Sequence, residues 1–108
     1  PKEDLEWLVA NKPAGSILLL DEAYIHFSTA ESGSAMVAAD KDVLILRTFS
    51  KLYGMAGLRA GLAIGRPDLL AKMSGWGSGM LPITGMAGAG ASLKVKTLVA
   101  ERRKINAT

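Results

Sequence analysis

Short, continuous apolar runs recur along this chain, and each ends abruptly in charged or hydroxyl residues. "SILLL" (Ser16–Leu20) breaks into "DEAY", and "VLIL" (Val43–Leu46) breaks into "RTFSK". A third run, "AGLAIG" (Ala60–Gly65), follows about a dozen residues later. Runs of this length bounded by turn residues are the pattern of strands buried on both faces. "KEDLEWLVANK" carries early acidic residues and places Leu5, Leu8 and Val9 on one face, which predicts a helix ending near Asn11. "KPAG" is a turn, residues 27–34 form a small polar loop, and "AMVAAD" predicts one or two helical turns. "RPDLLAKM" predicts a helix with Pro67 in its first turn, where the missing N–H costs nothing. After the glycine-rich connection "GWGSGMLPIT", a long helix is expected from about Gly85 to Asn106. Gly85, Gly88 and Gly90 weaken its start by ~1 kcal/mol each relative to alanine.

The segment Thr48 to Arg59 is short for a parallel crossover with a full helix, so the third strand is expected to run antiparallel. The element order is α/β: three strands, the first two parallel, with flanking helices. No 20–50-residue repeat interrupts it.

Composition narrows the function. A length of 108 residues allows one small domain or part of a larger one, and 49% hydrophobic with 21% charged residues is ordinary for a globular chain. The net charge of +3 is modest, and the one basic cluster, Arg102–Lys104, reads as the solvated last turn of a helix. Six aromatics, two each of Trp, Tyr and Phe, do not make the basic and aromatic stripe of a nucleic-acid binder, so no nucleic-acid partner is expected. With no cysteine and a single histidine, His26, neither a thiolate nor a multi-histidine metal site can form, and no metal is expected. No apolar stretch approaches the ~18 residues of a membrane span. The chain starts at Pro1 and stops within an expected helix, and so reads as a piece of a longer protein.

Two strands end in chemistry. In open α/β sheets ligands lie outside the carboxyl ends of the strands. If the first two strands are parallel, Asp21 and Lys51 emerge at one edge and can face a shared ligand. Lys51 at the mouth of an apolar sheet would be partly desolvated, which lowers a lysine pKa and suits an amine that attacks carbonyls. The alternative is a stem lying along the sheet edge with the ammonium in water. Asp21 either caps the following turn or pairs with a buried cation on a ligand. Tyr24 alone reads as a packed ring with its hydroxyl at the surface. Thr48 and Ser50 with Arg59 make an anion site, or a hydroxyl-built turn with an exposed arginine. The glycine motifs of dinucleotide and P-loop sites are missing. Taken together, a carboxylate, a phenol, hydroxyls, a lysine and an arginine suit pyridoxal phosphate, whose ring nitrogen, phenolic oxygen, aldehyde and phosphate want those partners in turn.

"LLLDEAYIHFS" and "VLILRTFSKLYGMAGLRAGLAIG" resemble the fold-type I pyridoxal-phosphate aminotransferases, closest to the histidinol-phosphate aminotransferase branch. The resemblance covers most of the chain and is specific between Ser16 and Arg66. Asp21 to Tyr24 is three residues, Asp21 to Lys51 thirty, and Lys51 to Arg59 eight, as in that family. The resemblance implies that Asp21 pairs with the pyridine nitrogen, Tyr24 hydrogen-bonds the phenolic oxygen, and Lys51 is the Schiff-base lysine. It also implies that Thr48, Ser50 and Arg59 hold the phosphate. His26 stands where many relatives carry glutamate, and Leu62 where an aromatic is frequent; for His26 a structural role is the expectation.

Family members are several times longer, so the resemblance implies that residues 1–108 are the central to C-terminal segment of the cofactor-binding large domain, lacking its N-terminal part and the small domain. The parent would be a cytoplasmic homodimer transferring an amino group between an amino acid, such as glutamate or histidinol phosphate, and a 2-oxo acid or keto phosphate. A decarboxylase or another aminotransferase of the same fold is the nearest alternative. From a different class, the chain alone would be an inactive fragment that self-associates through its uncovered edges.

Overall fold

In the computed structural model, which describes residues 2–77 and 79–107, Leu18–Asp21 (β1) pairs parallel with Val43–Thr48 (β2). β2 pairs antiparallel with Gly61–Ile64 (β3), so the sheet runs β1-β2-β3. Leu18 lies opposite Val43 and Asp21 opposite Leu46; on the other side Ile45 lies opposite Ile64 and Thr48 opposite Gly61. The antiparallel third strand follows from its connection. Residues 49–60 contain only a tight turn and the 3₁₀ turn Ala56–Leu58, too little chain to carry β3 back to the start of the sheet.

β2 is central and supplies three of the seven buried core residues among those described, Val43, Leu44 and Ile45, with Phe49, Leu52, Ala60 and Leu69 making up the rest. β1 departs from expectation. It begins at Leu18 rather than Ser16 and includes Asp21, and its burial alternates, leaving Leu19 57% exposed. Among the described residues β1 is an edge strand, and the face carrying Leu19 is open, so continuous apolarity did not mean burial on both sides.

Lys2–Asn11 (α1) closes with the Asn11 side-chain amide donating to the Trp7 carbonyl (2.8 Å). Ser34–Ala38 (α2) packs against β2. Pro67–Ser74 (α3) starts as expected with Pro67 in its first turn, and buries Leu69. A polar knot ties these elements at the start of β2. Asp42 accepts from Lys12 (3.3 Å) and pairs with Arg66 (2.9 Å), whose guanidinium also reaches Asp68 and the Asp40 carbonyl. The Lys12 hydrogen bond holds the Asp42 carboxyl below its usual value.

The single long helix expected from Gly85 to Asn106 is two, Ile83–Lys94 (α4) and Leu98–Asn106 (α5). Val95 is extended (φ −85°, ψ 95°), and the chain turns there because the two helices have different targets. α4 packs on the 56–58 turn and α5 on the 3₁₀ turn Ile25–Phe27. Ser78 of the glycine-rich connection lies outside the described residues, as do Pro1 and Thr108.

α4 reaches its target through a missing side chain. A Cβ on Gly85 would lie 2.5 Å from the Leu58 carbonyl oxygen, whereas one on Gly90, in the same helix, would meet nothing within 4 Å. Gly85→Ala is therefore expected to lower stability by about 1–3 kcal/mol from overpacking, outweighing its helix-propensity gain, while Gly90→Ala raises it by up to about 1 kcal/mol. Urea unfolding of the two variants checks this, and equal effects would refute the close approach.

Candidate functional site

Because β1 and β2 are parallel, the residues that follow them leave the sheet at the same edge. Side chains in paired strands alternate between faces, and opposed residues share one. Asp21 therefore leaves on the face of Leu46 and Thr48, while Glu22 and Arg47 turn to the other. Glu22 is buried (7% exposed) and saturated. Its carboxylate accepts from Arg47 Nε (3.0 Å) and Nη2 (2.9 Å), Ser32 Oγ (3.0 Å) and the Gly33 N–H (2.6 Å). Arg47 Nη2 also donates to Ser32 Oγ (2.7 Å).

On the open face, Asp21 Oδ1 accepts the Ala23 N–H (3.0 Å), the turn-capping alternative, which leaves its second oxygen for another partner. Tyr24 begins the 25–27 turn, and its carbonyl accepts the Phe27 N–H (2.9 Å). Beyond β2, Thr48 Oγ1 accepts the Ser50 N–H (3.0 Å), and Gly54, at φ 69°, lets its N–H close a turn on the Lys51 carbonyl (2.9 Å). In "FSKL" the outer residues Phe49 and Leu52 are buried and anchor the loop, which turns Ser50 and Lys51 outward. The two strand ends then meet: Lys51 Nζ lies 5.1 Å from the centroid of the Tyr24 ring.

Of the residues singled out from sequence, Lys51 and Tyr24 are in contact, and Asp21 and Tyr24 line one cleft of about 370 Å3 with Ser28. Thr48 and Ser50 share a turn one residue before Lys51. Arg59 stands apart, exposed and left-handed (φ 52°), donating to the Ala56 carbonyl of its own turn (3.0 Å). The expected desolvation of Lys51 is not met: the residue is exposed in this chain, because the loop turns it away from the sheet. A larger groove, about 630 Å3 between α1 and α2, contains none of the candidate residues.

The Glu22–Arg47 pair escaped the sequence reading. Its signal was present: each apolar run ends in a charge, the two charges are opposite, and the parallel register carries Glu22 to the position opposite Arg47.

His26, the residue next to the Tyr24–Ile25 pair, is half-buried with its ring edge-on to Tyr53 (centroids 5.4 Å apart, 82°). Its pKa falls below the ordinary 6.5, first because of burial, then because of the Arg47 and Arg103 guanidiniums, with Glu22 opposing.

A mixed sheet with its reactive side chains at the carboxyl edge of a parallel pair is the arrangement of α/β enzymes that bind ligands at that edge. The chain belongs to the aminotransferase class I and II family, whose profile matches residues 1–105. It is 37% identical to an aromatic amino acid aminotransferase of Mycobacterium tuberculosis strain H37Rv over 110 residues, covering 88% of the chain and 30% of that protein. Its counterpart from Mycobacterium ulcerans strain Agy99 is 39% identical over 74 residues, 66% of the chain and 20% of the relative. Among solved structures it superimposes on a protein from Erwinia carotovora atroseptica SCRI1043, provisionally named a histidinol-phosphate aminotransferase. That match has a TM-score of 0.88 and 31% identity, over 96% of this chain and 32% of the other. The chain thus spans about a third of the length of the proteins it matches, and its mixed α/β fold is that of these transferases.

Glu22→Ala would leave the Arg47 guanidinium, the Ser32 hydroxyl and the Gly33 N–H without their acceptor. It is expected to cost about 3 kcal/mol, measured by denaturant unfolding, and a loss below 1 kcal/mol would refute the central role of the pair. His26 sets a separate pH dependence. Its folded pKa lies below its unfolded value of 6.5, so its stability contribution is complete above that pH and is lost as pH falls through the folded pKa. A stability–pH curve should fall below about pH 6.5, and that part of the slope should vanish in His26→Phe.

Proposed function

We propose that residues 1–108 are a segment of the large domain of a pyridoxal-phosphate-dependent aminotransferase and that Lys51 is its covalent cofactor lysine. The observation that carries this reading is the meeting of Lys51 Nζ and the Tyr24 ring at 5.1 Å, from the ends of two parallel strands, with Asp21 on the same edge. The donor set fits the group. Bound pyridoxal phosphate supplies an aldehyde that condenses with amines and a pyridinium ring that accepts electrons. Lys51 Nζ supplies the protein's amine and, when free, holds the proton that leaves the substrate Cα. The Asp21 oxygen not used by Ala23 would be the partner for a protonated ring nitrogen, and the Tyr24 hydroxyl would donate to the phenolic oxygen. The Thr48 hydroxyl, which spends only a lone pair on Ser50, would keep its hydrogen for a phosphate oxygen beside Ser50; Arg59, which rests on the Ala56 carbonyl, would have to swing from its own turn to join them.

The relatives' names divide between aromatic amino acids and histidinol phosphate, both amines bearing a planar ring, which supports such an amine as donor and a 2-oxo acid as acceptor. The same reading takes the whole protein to be a cytoplasmic homodimer and the 108-residue chain by itself to be inactive. Trp76, Met80 and Ile83, which are 91%, 99% and 80% exposed, favour self-association of the isolated chain.

Adding pyridoxal phosphate to the chain is expected to give an absorbance band near the visible edge that borohydride reduces to a permanent adduct. Lys51→Ala should abolish both. A variant without Lys51 that kept the reducible adduct would overturn the assignment, and turnover of an amino donor and keto acceptor by the chain alone would overturn its inactivity.

A further inference from the structure

The contact between Tyr24 and Lys51 joins two exposed side chains on separate turns, so something else must hold the turns together. The described residues show what does. Phe49 is buried directly after β2, Tyr53 packs on it at 4.9 Å, and the His26 ring packs edge-on to Tyr53 at 5.4 Å. From the other side, the Arg103 guanidinium on α5 donates to the backbone carbonyls of both His26 and Ser28, the free end of the 25–27 turn. His26 is therefore held by its ring to the Lys51 loop and by its carbonyl to α5, and Tyr24 begins the turn on which His26 lies.

We propose that His26 is a positioning residue: its ring, seated on Tyr53, keeps Tyr24 over Lys51, and charging that ring releases the contact. The groups facing the imidazole give the reason. Arg47 from β2 and Arg103 from α5 are both cations, and Tyr53 meets the imidazole with its ring. Glu22 at the end of β1 is the one acid among them, and its oxygens are already taken by Arg47, Ser32 and Gly33. A neutral ring fits this setting. An imidazolium that feels the charges of both Arg47 and Arg103, on a half-buried aromatic surface, is driven toward water, and the 25–27 turn shifts with it.

The importance of the contact for catalysis rests on the cofactor reading above, but the contact itself can be read without a cofactor. His26 is the only histidine, so its imidazole gives a single set of resonances in the NMR spectrum of the ligand-free chain. The Lys51 side-chain resonances report the Tyr24 ring through its ring current, as Tyr24→Ala would confirm by abolishing their displacement. The expected result is that the Lys51 displacement is lost on acidification with the same midpoint as the His26 titration, below pH 6.5. In His26→Phe, which keeps a neutral ring, the displacement should persist through that range; in His26→Ala it should be reduced at every pH. Should His26→Ala fail to fold, the wild-type titration and His26→Phe decide. A Lys51 displacement that is insensitive to imidazole protonation, or that titrates unchanged in His26→Phe, would overturn the proposal. Neither result touches the Lys51 adduct experiment, and loss of that adduct would leave the titration standing.

Discussion

The structure depends on one buried carboxylate. Placing Glu22 beside an apolar sheet is costly unless its charge and lone pairs all find partners. Four donors converge on it: two from Arg47 on the central strand, and one each from Ser32 and Gly33 on the loop before α2. That convergence folds the polar 27–34 loop back over β2, where a Cβ on Gly33 would collide with Leu20. It also fixes phase. Neighbours in a strand face opposite ways, so once Glu22 and Arg47 turn inward together, Asp21 and Thr48 must turn to the open face. A slip of β1 by one residue would turn Asp21 inward and carry Glu22 to the other face, away from Arg47. A buried ion pair contributes little net stability compared with apolar packing, so its weight here lies in tying the two strand ends and the loop before α2 to one another.

The helices brace what the strands aim. A continuous helix from Gly85 to Asn106 would run on the order of 33 Å in one direction and could serve only one of the two turns that carry the candidate residues. The break at Val95 lets α4 press on the turn after Lys51 while α5 clamps the turn after Tyr24. Both turns are otherwise short 3₁₀ segments with poor hydrogen-bond geometry, which would open readily without such support.

Much of this was legible in residue order. Apolar runs located all three strands, and the short segment after Thr48 announced an antiparallel third one. The family motifs carried Asp21, Tyr24 and Lys51, two of which the fold brings into contact. What was not legible depended on the surroundings of each residue. Leu19 is as apolar as Leu20, and only the absence of a covering layer among the described residues leaves it exposed. Lys51 follows an apolar strand, yet Phe49 and Leu52 take the inward positions and leave the lysine in water. The helix from Gly85 was read as one because no proline or paired glycine marks Val95, where the break comes from tertiary docking.

Arg59 shows how the two kinds of information combine. Its φ of 52° places a long side chain in the left-handed region, at a cost of roughly 1–2 kcal/mol. Elsewhere the described residues meet positive φ with Gly15, Gly54, Gly77 and Gly79, or with Asp40, a residue type that tolerates it. The backbone here has firm reasons for the bend, since the next residue, Ala60, is buried and accepts the Phe49 N–H. Glycine would meet that need at lower cost, so the backbone does not account for the arginine. On the reading proposed for the site, its guanidinium does. In the ligand-free chain it rests on the neutral Ala56 carbonyl. A dianionic phosphate at the Thr48–Ser50 turn would add an opposite charge that the Ala56 carbonyl lacks, and would compete for the guanidinium on that ground.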